Sequence, residues 1–366
     1  MVWTPPAHRH RCAIAWASPR APQDQGASVI QITTAGIDLA KHVFQIHGID
    51  DEGQVVLRRR LRRAEVIPFF AGLTPCLVGM EACATSHHWA RELMSLGHTV
   101  KMMPPSYVKP YVRRGKNDAT DAQAICEAVT RPSMRFVPVK SAEQQSVLML
   151  HRVRALLIRQ RTMLVNALRA HLAEFGVVVA QGVKRIRELI AMLTGENAPV
   201  PALARTSLAP LVEQLMDLDL RIKELEAELL AWHRSSEESR RLETIPGVGV
   251  ITATALAATV TDPSHFRSGR EFAAWLGLTP RQNSSGGKER LGRISKMGDG
   301  YLRSLLVVGA TAVMRYAREK PSWVSGLLAR KPARIVSVAL ANKMARIAWA
   351  LLARKQTYQT QSSAVA

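Results

Sequence analysis

The chain has 366 residues, 50 Lys and Arg against 29 Asp and Glu, and a formal net charge of +21. Apolar residues make up 47% and charged residues 22%, which excludes a disordered chain and provides material for two or three packed domains. The positive balance calls for a polyanionic partner. A membrane-spanning protein is excluded on sequence, because a span needs ~20 apolar residues and Lys343 and Arg346 interrupt the apolar C-terminal stretch.

Residues 1–30 contain HRHR and the short apolar run CAIAWA, too brief for a secretory signal, and read as a disordered extension or an over-extended start. From Ile32 to about Arg131, short β-branched runs (IQITTAGIDLA, VFQIHGI, QVVLRRRL) separated by AKH and DDEGQ predict two hairpins. A short helix over 64–72, a fourth strand at CLVGME, a helix over 86–96 and a fifth strand at HTVKMM follow, closed by Pro104-Pro105. That order predicts a mixed sheet with helices packed on it.

Residues 141–239 read as helical. Leu211, Leu215, Leu218, Ile222, Leu225, Leu229 and Trp232 repeat as a heptad seam, and Val147, Leu150, Val153, Leu157, Leu164, Leu168 and Leu172 supply a partner stripe. The break lies at 195–201. An antiparallel hairpin within one chain and a dimerisation arm are equally compatible with this pattern. From Arg240 onward the chain is helical but punctuated by Gly-rich basic loops. This last third carries 20 Lys and Arg against 6 Asp and Glu, two thirds of the excess charge. The expected division is an extension (1–30), a sheet domain (31–135), a helical coiled-coil middle (141–239), a helical C-terminal domain (240–356) and a tail (357–366). Cys12, Cys76, Cys83 and Cys126 form no CxxC pair, so a reduced cytoplasmic protein is expected.

Four carboxylates stand out. Asp38 ends the first strand, Glu81 ends the fourth, and Asp118 and Asp121 open a helix in KNDATDAQAICEAV, three residues apart and so roughly on one face. Neighbouring first and fourth strands bring Asp38 and Glu81 to one sheet edge. Like charges gathered there cost stability unless a cation neutralises them, and hard divalent ions take carboxylate oxygens. Two such ions clamp the attacking and leaving oxygens of a phosphodiester displacement. Lys41, Lys109, Arg113, Arg114 and Lys116 surround the acids in sequence and suit a phosphate backbone. RRRLRR (58–63) reads as a nucleic-acid grip or as a solvated strand face. His87-His88 reads as a satisfied or surface pair more than as part of a metal site.

In the last third, Pro246-Gly247-Val248-Gly249 separates two helical runs. Gly247 and Gly249 permit positive φ and close approach, and the following helix opens with free N–H groups that suit phosphate. The segment resembles a helix-hairpin-helix DNA-backbone module. Downstream, a loop over 280–296 sets Arg281, Lys288, Arg290, Arg293 and Lys296 among serines and glycines, with Arg303 shortly after. On chemistry alone, Ser284, Ser285 and Ser295 read as loop or phosphate-contact residues, since no base lies nearby in sequence.

The GIDLAK, GMEA and KNDATDA segments, with GLTP, SSGG and GRISKMGDGYLR, resemble the DEDD transposases, the one-ten family of insertion sequences. The resemblance covers about 32–131 and 240–354. It implies a ribonuclease-H-like (RuvC-like) N-terminal domain whose metal tetrad is Asp38, Glu81, Asp118 and Asp121, with two Mg²⁺ or Mn²⁺ ions. It further implies a C-terminal serine that links covalently to DNA in a composite site with the tetrad. Ser285 is the carry-over of that nucleophile, with Ser284 the adjacent alternative. The implied partners are element and target DNA, a structured bridge-type non-coding RNA, and further copies of the chain in a dimer or tetramer. The implied setting is a bacterial cytoplasm, at the nucleoid. A junction-resolving endonuclease using only the acids, and a non-catalytic nucleic-acid-binding protein, are the alternatives.

Overall fold

Strand alternation and turn placement give the sheet its order. A computed structural model describes residues 31–112, 118–182, 184–195, 199–317 and 321–359, with backbone only for Asp118, Ala119 and Lys184. The N-terminal extension, Arg113, Arg114 and Lys116 lie outside the described residues. The described residues form two compact units, one of those up to Ser86 with Glu92–Phe136, the other of His87–Arg91 with those from Val137 onward.

The first unit holds β1 (Thr34–Asp38), β2 (Val43–Ile49) and β3 (Val55–Arg62) as two successive antiparallel hairpins. The helix α1 (Val66–Ala71) leads to β4 (Leu77–Glu81), and α2 (Ser86–Ser95) leads to β5 (Thr99–Met103). A short α3 (Pro105–Val108) and then α4 (Asp118–Val129) complete it. The five strands lie in the order β3-β2-β1-β4-β5, with β4 parallel to both β1 and β5. This mixed sheet with helices is the arrangement expected of a ribonuclease-H-like α/β domain.

Successive residues of a strand face opposite sides. Ala35, Ile37, Phe44, Ile46, Leu61, Val78, Met80 and Met102 are buried on one side. On the other, β1 and β4 present Gly36 and Gly79, paired in register. A Cβ on Gly36 would lie 2.3 Å from the Ala122 carbonyl oxygen and 2.5 Å from the Cys126 nitrogen. One on Gly79 would lie 2.8 Å from the Val129 Cβ. The two glycines are the floor on which α4 rests, and they set its height above the sheet. Met103, Val108, Ile125, Ala128 and Val129 close the core on that side.

The second unit begins with α5 (Ala142–Ala173), whose Ser141 and Gln144 form a reciprocal capping box. After α6 (Lys184–Thr194), α7 (Ala202–Ser235) returns along α5. Val147 shares a cluster with Leu229, and Leu168 and Leu172 share one with Leu208, Val212 and Leu215, so the two long helices run antiparallel within one chain. Arg154 pairs with Glu226 at 2.5 Å and Arg161 with Asp219 at 2.9 Å along the contact. The separate α6 fills the far end with Ile186, Leu189 and Leu193, where sequence showed only continuous helix.

The remaining elements are α8 (Glu237–Glu243), α9 (Val250–Thr259), α10 (Gly269–Trp275), the strands β6 (Pro280–Gln282) and β7 (Leu291–Ile294), α11 (Gly300–Tyr316), α12 (Ser322–Leu328) and α13 (Ala333–Arg354). The segment read as a loop over 280–296 is thus an antiparallel hairpin. Its polar strands carry no apolar alternation, which hid them. Among the described residues α13 alone is long and apolar enough to cross a membrane, and half of its most apolar stretch is buried. Leu340, Met344 and Ala348 join Leu256, Phe272 and Leu306 in the core of this unit.

Candidate active site and nucleic-acid interface

Asp38 and Glu81 each lie one step beyond the last paired residues of β1 and β4, Ile37 and Met80, at the same carboxyl edge. Each also lies two residues past a floor glycine and therefore on the side that α4 covers. α4 begins at Asp118, and Asp121 immediately precedes Ala122, whose carbonyl overlies Gly36. The Glu81 carboxyl is pushed above its ordinary value, first by burial and then by the negative charges of Asp38 and Asp121. The structure therefore brings Asp38 and Asp121 into electrostatic range of Glu81, and the Asp118 side chain lies outside the described residues. Among the described residues, no group of three or more His, Cys, Asp or Glu is drawn close enough to hold an ion as it stands. The donors are nonetheless all carboxylates at one edge, the donor chemistry of a hard divalent cation.

Residues Ser285–Lys288 form the tip of the β6–β7 hairpin, with an isolated bridge between the two residues and the Lys288 N–H donating to the Ser285 carbonyl at 3.1 Å. Gly286 and Gly287 both hold positive φ, 55° and 76°, as a two-residue primed turn requires. The Arg290 N–H donates to the Ser284 hydroxyl at 3.2 Å. The Ser285 hydroxyl has no hydrogen-bond partner among the described residues. Adjacent in sequence, the two serines differ in what holds them: one is tied into the hairpin and the other is presented at its tip. Arg281, Lys288, Arg290 and Arg293 on the hairpin, and Lys296 just after it, are all exposed.

The sequence matches the model for the IS116/IS110/IS902 transposase family over residues 239–323, and that for the DEDD transposases of the IS110 type over residues 35–177. A protein of Pseudomonas aeruginosa named "Probable family 20 transposase" is 51% identical over 315 residues, covering 84% of this chain and 93% of that protein. The transposase for insertion sequence element IS1328 of Yersinia enterocolitica is 43% identical, covering 84% and 92%. That for IS1111A of Coxiella burnetii is 41% identical, covering 91% and 93%. The chain belongs to this transposase family. The two matched segments contain all four acids of the transposase and both adjacent serines of its hairpin.

Other residues singled out in the sequence take varied places. Lys41 is exposed in the β1–β2 turn, and Lys109 is exposed in the turn after α3. Gly247, at φ 85°, sits against α11: a Cβ there would meet the Gly309 carbonyl oxygen at 2.7 Å, and one on Gly309 would meet the Gly247 oxygen at 2.0 Å. Close backbone packing accounts for this glycine. Gly249 has open space around it and precedes the first turn of α9.

Arg303 of the transposase donates from Nη1 to the carbonyls of Leu276 and Met297, both at 2.9 Å, and so fastens the end of the hairpin segment to α10. Sequence marked it only as a phosphate contact. His87 accepts the Lys140 N–H at 3.2 Å, and burial with the nearby cations Lys140, Arg91 and Arg152 lowers its pKa to about 4. It is a satisfied histidine. Cys76, Cys83 and Cys126 are free thiols.

Proposed function

We propose that this insertion-sequence transposase cuts and rejoins DNA with Asp38, Glu81, Asp118 and Asp121 as ligands of two Mg²⁺ ions, or of Mn²⁺, and with Ser285 as nucleophile. The observation that supports this most is the gathering of Asp38, Glu81 and Asp121 at one sheet edge, where burial first and then the two aspartates raise the Glu81 pKa. A fold that crowds carboxylates at one sheet edge loses stability unless a cation joins them. Bound divalent ions supply Lewis-acid stabilisation of charge on the phosphate oxygens.

The Ser285 oxygen attacks phosphorus and loses its proton to solvent. The bond from phosphorus to a deoxyribose oxygen breaks, and that oxygen leaves as a hydroxyl after taking a proton. Attack on the phosphoserine by a hydroxyl of another strand reverses the sequence and rejoins the DNA. The free hydroxyl of Ser285, against the tied hydroxyl of Ser284, supports this choice between them. Arg290, Arg293, Lys288, Arg281 and Lys296 hold phosphates around it.

We read α8, the turn at Gly247–Gly249 and α9 as a helix-hairpin-helix contact to backbone. We read α5 and α7 as a coiled-coil dimerisation region, since Met149, Leu156, Met163, Met216 and Leu220 are exposed along them. The 5% aromatic content leaves little for base stacking and favours backbone reading, with sequence delegated to a structured guide RNA. The protein then works at the nucleoid of a bacterial cytoplasm.

The test is trapping of a covalent protein–DNA adduct, with duplex DNA carrying the element end and RNA copurified with the chain. Ser285→Ala abolishes the adduct and retains DNA binding, while Ser284→Ala retains both. An adduct of normal yield from Ser285→Ala sinks the nucleophile assignment. Cleavage by both variants without any adduct, stopped by Asp38→Asn, identifies a junction-type nuclease instead.

A further inference from the structure

The sheet has an arginine-rich edge on the same side as the acids. In β3, Arg58 pairs with His47, Arg60 with Gln45 and Arg62 with Val43. His47 in turn pairs with Gly36, and Gln45 with Asp38. Paired residues share a face, so Arg58, Arg60 and Arg62 stand on the side marked by the glycine floor and by Asp38. Burial first, and then the positive charge of Arg58, depress the His47 pKa, in keeping with the two side chains being neighbours. The intervening residues behave differently. Arg59 lies 5.2 Å over the Phe69 ring of α1 on the opposite side, and Arg63, just past the strand, lies 6.0 Å over the Phe44 ring.

All three same-side arginines are exposed, and none makes an ion pair among the described residues. Asp38, Gln45 and Arg60 form one row across three strands, and at ~4.8 Å per strand Arg60 stands ~10 Å from Asp38. Along β3 the arginines recur every second residue, ~6.8 Å apart, which is close to the step between phosphates on one extended backbone. β3 is an edge strand, with no further strand beside it among the described residues.

We infer that Arg58, Arg60 and Arg62 form a phosphate track for the DNA strand whose reacting phosphate lies at the acid cluster, gripping it beyond the cut. The placement relative to the cut rests on the function proposed above; the track itself does not. A charged edge also discourages strand-to-strand aggregation, but Arg59 and Arg63 would serve that purpose equally. A phosphate track requires the alternate set.

The experiment measures binding of the full chain to a short random-sequence DNA duplex across a salt series, for two variants of matched thermal stability. Arg58→Gln/Arg60→Gln/Arg62→Gln reduces the slope of log affinity against log salt by about 2–3, at ~0.9 for each phosphate no longer neutralised. Arg59→Gln/Arg63→Gln leaves it within about 0.5 of the unaltered chain by the same measure. Equal losses in the two variants, or none in the first, overturn the track. A loss confined to an RNA duplex of the same sequence overturns the assignment to DNA. Repeating the series in an Asp38→Asn background separates the two proposals: a slope loss that persists there while the adduct test fails keeps the track and discards the chemistry. A triple variant that changes only in its aggregation shows edge protection to be the whole role and discards the track.

Discussion

Gly36 and Gly79 are direct neighbours across the paired strands β1 and β4, and α4 crosses both of them at distances that leave no room for a methyl group. The obstruction differs between the two. Over Gly36 it is chiefly helix backbone, and over Gly79 it is one valine side chain, met first at its Cβ. Gly36→Ala is therefore expected to destabilise the protein by at least the ~1–3 kcal/mol typical of overpacking and to lift Asp121 from the sheet edge. Gly79→Ala should cost less and should recover in part when combined with Val129→Gly, which removes the Cβ it meets first. Denaturant midpoints for the four variants check the order, and equal effects at both glycines refute it.

Glu81 provides a prediction with a definite sign. Its folded-state pKa is raised, so ionisation opposes folding at pH values above that pKa, and the cost disappears as pH falls below the unfolded value of 4.5. Glu81→Gln should raise the melting temperature of metal-free protein near neutrality, with the gain shrinking to nothing below pH ~4.5. Added Mg²⁺ should reverse the order, stabilising the unaltered chain more than the variant. Thermal melts across pH, with and without Mg²⁺, measure both effects.

Arg303 and Arg290 look alike in sequence but should fail differently. Arg303→Ala removes two hydrogen bonds to backbone carbonyls and should lower stability by about 1–3 kcal/mol, with the salt dependence of DNA binding nearly unchanged. Arg290→Ala should leave stability nearly intact and reduce the salt slope by about 1. Melting curves and salt titrations on both variants decide the matter.

The tip of the serine hairpin depends on backbone conformation alone, since nothing lies within 4 Å of a Cβ at Gly286 or Gly287. Gly286→Asn should preserve the turn, because asparagine tolerates left-handed φ and Asn-Gly is a favoured primed pair. Gly286→Val should disorder the tip, sharply reduce adduct formation and leave the melting temperature unchanged. Adduct yield set against melting temperature tests this, and equal yields for Asn and Val refute it.

Much of the first unit is legible in the residues. Alternating β-branched runs separated by AKH and DDEGQ yield β1, β2 and β3, and the strand ends place Asp38 and Glu81 at one edge once β1 and β4 are adjacent. What sequence does not show is why α4 reaches them, because Gly36 and Gly79 acquire meaning only when strand register sets them side by side. The serine segment carried its signal in Gly286-Gly287, but without apolar alternation the flanking strands read as loop. Arg303 shows the limit in another way: a charged side chain bound to carbonyls distant in sequence has the same appearance as one awaiting phosphate.

The contact between Gly247 and Gly309 has a mechanical consequence. Side chains that touch can yield by changing rotamer, whereas two glycine backbones at this separation have no such slack. Gly309 lies ~14 Å along α11 from the start of the helix, and that start directly follows the segment carrying the serine hairpin. Any displacement of the turn before α9 towards α11 must therefore move α11 as well. The turn and the helix are joined there with almost no play.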